Sequence, residues 1–364
     1  MSAVIYPESS LVYCSKAPLR IGLAGGGTDV SPYTDQYGGA VLNAAISLYA
    51  HARIELFSNN IIVITDDNTN QECTYNTSVK LPIDGKFDLV KGVYNYFLDK
   101  YIIPPSGLKI SVSVDTPIRS GLGTSSTLMV AIIGAFCAWL NVHLSQHEIA
   151  CLAYDIERNH LGFAGGRQDQ FAASYGGLNY MEFHNNGDVV VNPLLIEEAI
   201  IKELENNLVL YYTGHSRQSG AIIREQQQNV LQNHTHSVEA MHQLKEQSKL
   251  MRNALMDGNL HTIGELFDYG FEHKRKMAGG ISTPAIEEIY AAAKLAGATG
   301  GKISGAGGGG FMFFYCPNGT RSSVIETLAN FAGQVWGFTF EKEGVKTYTT
   351  QVDSRNYRPI KPNF

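Results

Sequence analysis

Four clusters in the 364-residue chain have residue types and spacings that could do chemistry, and three of them contain runs of glycine. The segment Gly121-Leu122-Gly123-Thr124-Ser125-Ser126 offers a backbone that a ligand can approach closely, followed by hydroxyls and the free N–H groups of a helix start. A phosphate fits that description, because unpaired N–H groups and the positive end of the helix dipole favour an anion. An ordinary glycine turn with a Ser/Thr helix cap fits it too. The loop lacks the Lys of a Walker motif, and Ser126 stands where a dinucleotide fingerprint has its third Gly. Gly305-Ala-Gly-Gly-Gly-Gly310 matches Gly-x-Gly-x-x-Gly in form, but an apolar strand follows it instead of a helix, so the dinucleotide context fails. Four glycines directly before a Phe-rich strand carry a large backbone entropy cost, which favours close approach to a ligand over a free linker. The third cluster, Pro18 to Asp29, sets Arg20 and Asp29 on either side of Gly25-Gly26-Gly27. Arg20 could pair with a phosphate and Asp29 could accept hydrogen bonds from sugar hydroxyls; each could equally be a surface charge. Fourth, Glu157 and Asp169 are separated by Gly162, Gly165 and Gly166, so they belong to two elements that could converge. Beside a phosphate loop, one carboxylate suits a magnesium ligand and the other a group that orients or deprotonates an attacking hydroxyl, against a competing reading as unrelated surface acids.

These clusters need elements to hold them. Leu108 to Val114 alternates with period two and predicts a half-buried strand feeding the Pro117–Ser126 loop, and Leu128 to Leu140 predicts a buried helix after it. Ser145-Gln-His-Glu148 is a capping box opening a helix that runs to about His160 and stops at Gly162. From Val12 to Gly39 the order reads strand, glycine loop, helix, with Pro18 dividing two apolar runs; Tyr49–Phe57 and Ile61–Thr65 read as a hairpin. After Asn192-Pro193, Leu208–Tyr212 reads as a strand and Ser219 to Met277 as largely helical. Thr283, Pro284 and Gly297 frame a capped helix over Ala285–Ala296, before the strand Phe311–Tyr315. Lys274-Arg275-Lys276 reads as an exposed helix face, His234 and His236 as solvated, and Trp139 and Trp336 as core or rim.

Composition bounds the functions open to these clusters. With 28 basic and 34 acidic residues and no long basic run, the electrostatic footprint of a nucleic-acid binder is missing. The longest apolar run, Leu128 to Leu140, falls short of the roughly 18 residues of a membrane span. Cys14, Cys73, Cys137, Cys151 and Cys316 show no zinc spacing and read as reduced core thiols of a cytoplasmic protein.

Taken in order, Ala17-Pro-Leu-Arg-Ile-Gly22, Pro117–Ser126 and Lys302–Gly310 resemble the motifs of the GHMP kinase superfamily over residues 12–350. The resemblance implies an α+β, two-domain GHMP kinase fold. Residues 1–200 would form an N-terminal ribosomal-protein-like α/β domain and 201–353 a C-terminal ferredoxin-like domain, with a polar tail at 354–364 and the active site between the domains. Carried over by position, Gly121, Leu122, Gly123, Thr124, Ser125 and Ser126 would wrap the phosphates of ATP, and Ser125 with Glu157 would coordinate Mg2+. Asp169 would be the acid beside the acceptor hydroxyl, and Arg20 would neutralise charge at the transferring phosphoryl group. Gly26, Gly27, Thr28, Asp29, Lys302, Gly305, Gly307 and Gly308 would bind the sugar substrate. Galactokinase-like members carry Gly-Glu-His where this chain has Ala24-Gly-Gly-Gly-Thr-Asp29, and the variant resembles the branch acting on D-glycero-D-manno-heptose 7-phosphate. Backbone N–H donors in place of a carboxylate and an imidazole tolerate an anion, and Lys302 or Arg217 could add positive charge. The implied reaction is phosphorylation of the anomeric hydroxyl of that sugar phosphate to the 1,7-bisphosphate. L-Fucose or another hexose is the alternative acceptor, and a non-catalytic sugar sensor is disfavoured by retention of Asp169, Glu157 and Ser125 together. Expected partners are the sugar phosphate and ATP, without nucleic acid or membrane, in a monomer or homodimer.

Overall fold

The computed structural model describes residues 9–77, 79–104, 106–215 and 219–353; Arg217 and the 354–364 tail, two of the features singled out in the sequence, lie outside them. The first half of the chain is built on one large sheet. Strand β1 (Ser9–Ala24) is a single strand where the sequence showed two apolar runs around Pro18. Its pairing register shifts between Pro18 and Leu19, so the residue without an N–H sits at an irregularity in the ladder. A glycine loop and a short helix α1 (Tyr33–Tyr37) lead into β2 (Gly39–Phe57), and β3 (Ile61–Asp66) and β4 (Gln71–Asn76) follow. Helix α2 (Asp88–Lys100) precedes β5 (Gly107–Val114).

The expected hairpin of Tyr49–Phe57 with Ile61–Thr65 does not form. Strand β5 lies between the two, antiparallel to β2 and parallel to β3, while β3 pairs instead with β4. The physical reason is burial: Leu108, Ile110, Val112 and even Ser111 of β5 are almost inaccessible to solvent, so β5 takes the inner position and the polar β4 the edge.

After β5 come α3 (Thr124–Leu140), α4 (Gln146–Tyr154), a π-helical turn (Asp155–His160) and α5 (Gln168–Tyr175). Helix α3 is apolar almost all round and buried against β1 and β2, as such a helix must be. The capping box at Ser145 and Glu148 forms as read. Strands β6 (Leu178–Phe183) and β7 (Val189–Pro193) extend the sheet alongside the first residues of β2.

The second half runs α6 (Glu198–Asn207), β8 (Leu208–Tyr212), α7 (Ser219–Leu231), α8 (Thr235–Met256), α9 (Ile263–Arg275), α10 (Pro284–Leu295), β9 (Gly300–Ile303), β10 (Phe311–Tyr315), α11 (Arg321–Leu328) and β11 (Gln334–Trp336). Its sheet is antiparallel in the order β11-β8-β10-β9, which is the ferredoxin-like arrangement. Leu208, Leu210, Phe311 and Phe313 join the same buried cluster as Ile21, Leu42 and Ile133 of the first half. Val209, Tyr211, Met312 and Phe314 face the other way, against α10 and α11.

The last strand, β12 (Lys346–Asp353), corrects the expected C-terminal limit of the second domain: it pairs with β1, from Ser9↔Asp353 to Lys16↔Lys346, and so belongs to the first sheet. Among the cysteines Cys14, Cys137 and Cys316 are buried, but Cys73 is half-buried and Cys151 exposed, which removes those two from the core; all five are free thiols. Among the described residues no helix is long and apolar enough to cross a membrane.

Candidate active site

Two glycine loops meet back to back at the floor of a cleft. The loop after β5 reaches α3 through Gly121 and Gly123, both in the left-handed region at φ +89° and +78°, and no side chain caps the start of α3. The N–H groups of Thr124, Ser125 and Ser126 thus open the helix toward the cavity that Gly121, Gly123 and these three residues line, as an anion site requires. Leu122 is fully buried and reaches back to β1, where its carbonyl accepts the Arg20 N–H.

The second loop explains its own glycines. A Cβ on Gly305 would lie 2.7 Å from the Cα of Gly121, one on Gly307 2.6 Å from the Ile281 carbonyl oxygen, and one on Gly310 2.2 Å from that of Ser120. The Ser304 hydroxyl donates to the Gly121 carbonyl at 2.9 Å and the Phe311 N–H to that of Ser120 at 2.8 Å. Close approach was expected, but its partner at Gly305 and Gly307 is backbone, while the Gly308 N–H is spent on Ile281.

Asp169 enters on the first turn of α5. Its Oδ1 accepts both Nε and Nη2 of Arg20, at 2.7 and 2.6 Å, and its Oδ2 accepts no hydrogen bond from a described residue. The carboxylate rests on Gly123, where a Cβ would stand 3.1 Å from the carboxyl carbon. Arg20, 4% exposed, spends Nη1 on the Gly121 carbonyl at 2.7 Å, so it ties the acid of α5 to the loop before α3.

Glu157 is the second convergent acid. The π turn that follows α4 places it and Arg158 beside the start of α3. Its Oε1 accepts the Ser125 hydroxyl at 2.8 Å and faces Arg158 at 3.2 Å; its Oε2 accepts the Ser126 hydroxyl and Gln170 Nε2. Ser125 is exposed to the cleft and Glu157 is buried, a hard-oxygen pair that fits a divalent cation completed by phosphate and water oxygens.

Two residues expected to bind the sugar are placed otherwise than the resemblance implies. Thr28 is buried and absent from the cavity wall, its hydroxyl donating to the Gly25 carbonyl and accepting the Ala40 N–H. Asp29 lines the cavity, but its Oδ2 accepts the backbone N–H groups of Arg167 and Gln168 at 3.0 and 3.1 Å, and its Oδ1 those of Gly27 and the Gln168 amide. Instead of being held out for sugar hydroxyls, Asp29 joins the Gly26-Gly27 loop to the N-terminus of α5. Burial pushes its carboxyl above the ordinary value, the Gln168 hydrogen bond opposes this, and Asp169 adds to it.

Two lysines share the floor. Lys302 is buried, 3.4 Å from the Leu23 carbonyl, and burial, Lys274 and Arg20 hold its ammonium well below its ordinary value. Lys274, read from sequence as an exposed helix face, is 4% exposed and donates to the Gly305 carbonyl. Burial first, then Arg20, bring it down to about 8 against the pull of Asp29. The cavity above these groups measures about 590 Å3.

The chain is similar to known proteins along most of its length. The GHMP kinases N terminal domain matches residues 88–177 and the GHMP kinases C terminal domain residues 240–333. The D-glycero-alpha-D-manno-heptose 7-phosphate kinase of Campylobacter jejuni is 42% identical over 92% of this chain and 98% of its own length. The chain belongs to the GHMP kinase family. A crystal structure described as a D-glycero-D-manno-heptose 1-phosphate kinase from Bacteriodes thetaiotaomicron resembles the kinase with a TM-score of 0.78 at 40% identity, covering 92% of this chain and 98% of that one. The bifunctional fucokinase/GDP-fucose pyrophosphorylase of Arabidopsis thaliana is 28% identical over 85% of this chain and 30% of its own length.

Several residues of the kinase cleft escaped the sequence reading. Arg158 in the cavity wall and Gln170, buried behind it, bracket Glu157, Gln168 joins the Asp29 network, and Arg224 of α7 lines the cavity with no ion pair to a described residue. Only Lys274 had a usable signal: Phe267, Phe271 and Lys274 recur at i, i+4 and i+7, which puts the lysine on the buried face of α9.

Proposed function

We propose that this kinase transfers the γ-phosphoryl group of ATP to the anomeric hydroxyl of D-glycero-D-manno-heptose 7-phosphate, giving the 1,7-bisphosphate. The observation that carries the reading is the Oδ2 of Asp169, left open on the cleft floor while Arg20 fixes Oδ1, between an uncapped helix start and the Gly26-Gly27 loop. The helix start suits the nucleotide phosphates and the open carboxylate oxygen suits the acceptor hydroxyl, whose proton it accepts as the new phosphorus–oxygen bond forms. Most of the work is positioning and charge neutralisation, since phosphoryl transfer asks little covalent chemistry of the protein. Mg2+, when bound, would be held by Ser125 and Glu157 and would supply charge neutralisation at the β- and γ-phosphates.

An anionic acceptor agrees with a cleft where Lys274, Lys302 and Arg224 stand without carboxylate partners among the described residues. The names of the Campylobacter and Bacteriodes relatives point to heptose phosphates, and the fucokinase relative keeps a free hexose as the second reading. ADP formation measured on heptose 7-phosphate, heptose 1-phosphate, free heptose, L-fucose and galactose decides between them. One charge-assisted phosphate contact is worth roughly 1.5–3 kcal/mol, so heptose 7-phosphate should exceed the free sugars at least tenfold in kcat/KM. Equal or better use of a free hexose would make the protein a hexose 1-kinase.

A further inference from the structure

The charge-neutralising role that the resemblance implies for Arg20 falls on a group already engaged. Nε and Nη2 of Arg20 are on Asp169 and Nη1 is on Gly121. Lys302 is drawn toward the Leu23 carbonyl and lies over the Phe313 ring. Lys274 differs from both. It is buried and lines the cavity, its one hydrogen bond to a described residue goes to the Gly305 carbonyl, and no described carboxylate pairs with it. An ammonium has three donors, so two remain. Gly305 abuts Gly121, and Gly121 is where Arg20 is anchored, so Lys274 stands at the seam that also carries Asp169. A buried cation hydrogen-bonded to a carbonyl, with Asp29 acting on it without an ion pair, is costly until an anion completes it.

We propose that Lys274 is a catalytic cation, its ammonium donating to a non-bridging oxygen of the phosphoryl group in flight while Arg20 holds Asp169 in place. The proposal rests on the kinase reaction above. In that step the acceptor oxygen bonds to the γ-phosphorus, the bond to the bridging oxygen breaks with its electron pair leaving on ADP, and the hydroxyl proton passes to Asp169. Lys274 gains and loses no bond or proton.

The charged groups that act on Lys274 are Arg20 on β1, Asp29 in the loop after it and Lys302 on β9, while Asp169 on α5 is held by Arg20. With its titration near 8, Lys274 is charged below that pH and loses its charge above it.

The test is steady-state kinetics from neutral to alkaline pH on the best acceptor of the panel, for wild type, Lys274→Met and Lys274→Arg. Lys274→Met should lower kcat roughly 10²–10³-fold, the usual cost of one transition-state donor, with both KM values within about threefold. Wild-type kcat/KM for ATP, which reads the unliganded cleft, should fall as pH rises through 8, and the activity that Lys274→Arg keeps, its charge being permanent, should lack that fall. A Lys274→Met kcat within tenfold of wild type, or a raised KM with kcat kept, overturns the assignment. Should Lys274→Met not fold, a wild-type profile flat through pH 8, or the same fall in Lys274→Arg, overturns it as well. Wild-type turnover reads the proposed reaction and the variant ratios read Lys274, so the two fail separately.

Discussion

Asp169 has one oxygen occupied and one open, and that asymmetry makes it the group whose loss should be felt in chemistry more than in binding. Asp169→Asn keeps the shape and removes the acceptor of the hydroxyl proton, so kcat should fall roughly 10²–10⁴-fold while ATP still binds, as calorimetry would show. Near-normal turnover would remove Asp169 from the mechanism. Glu157 and Ser125 make a separate prediction, because their oxygens are 2.8 Å apart at the helix start. Ser125→Ala and Glu157→Gln should each raise the magnesium concentration needed for half-maximal rate, and unchanged magnesium dependence in both would place the metal on other groups.

At the scale of elements, the strand-loop-helix unit around Gly121 and the capping box at Ser145 were legible because each is local: periodicity, a glycine pair and a capping hydroxyl lie within one stretch of chain. The β2–β3 pairing was misread because the strand that separates them, β5, comes much later in sequence, and nothing near Tyr49–Phe57 announces it. Asp29 was legible as a charge but not as a joint, since the N–H groups it accepts come mostly from Arg167 and Gln168, far along the chain. The glycines of the second loop carried a true signal of close approach, with the partner hidden until the fold brought Gly121 and Ser120 against them. Gly121→Ala tests that packing: it sets a side chain at φ +89°, with its Cβ 2.8 Å from the Ser304 carbonyl oxygen. The variant should lose about 1–3 kcal/mol in urea unfolding and most of its activity, and wild-type stability would show that the two loops separate freely.

At the scale of the whole molecule, one buried core joins the two halves of the chain. Strand β12 returns from the second half to pair with β1, and Leu208, Leu210, Phe311 and Phe313 complete a cluster begun by Ile21 and Leu42. A chain ending at residue 200 should therefore show no cooperative unfolding of its own, and the full chain a single transition by circular dichroism; two transitions, with residues 1–200 folded alone, would contradict this. The same joining of halves builds the cleft, since Asp169 and Arg20 come from one and Lys274, Lys302 and Gly305 from the other. Its chemistry is read most directly by 31P NMR of the product formed from ATP and heptose 7-phosphate. The expected result is one ADP per new phosphate, a phosphorus coupled to the anomeric proton and the 7-phosphate intact. Hydrolysis without transfer, or a new phosphate on any other carbon, would contradict it.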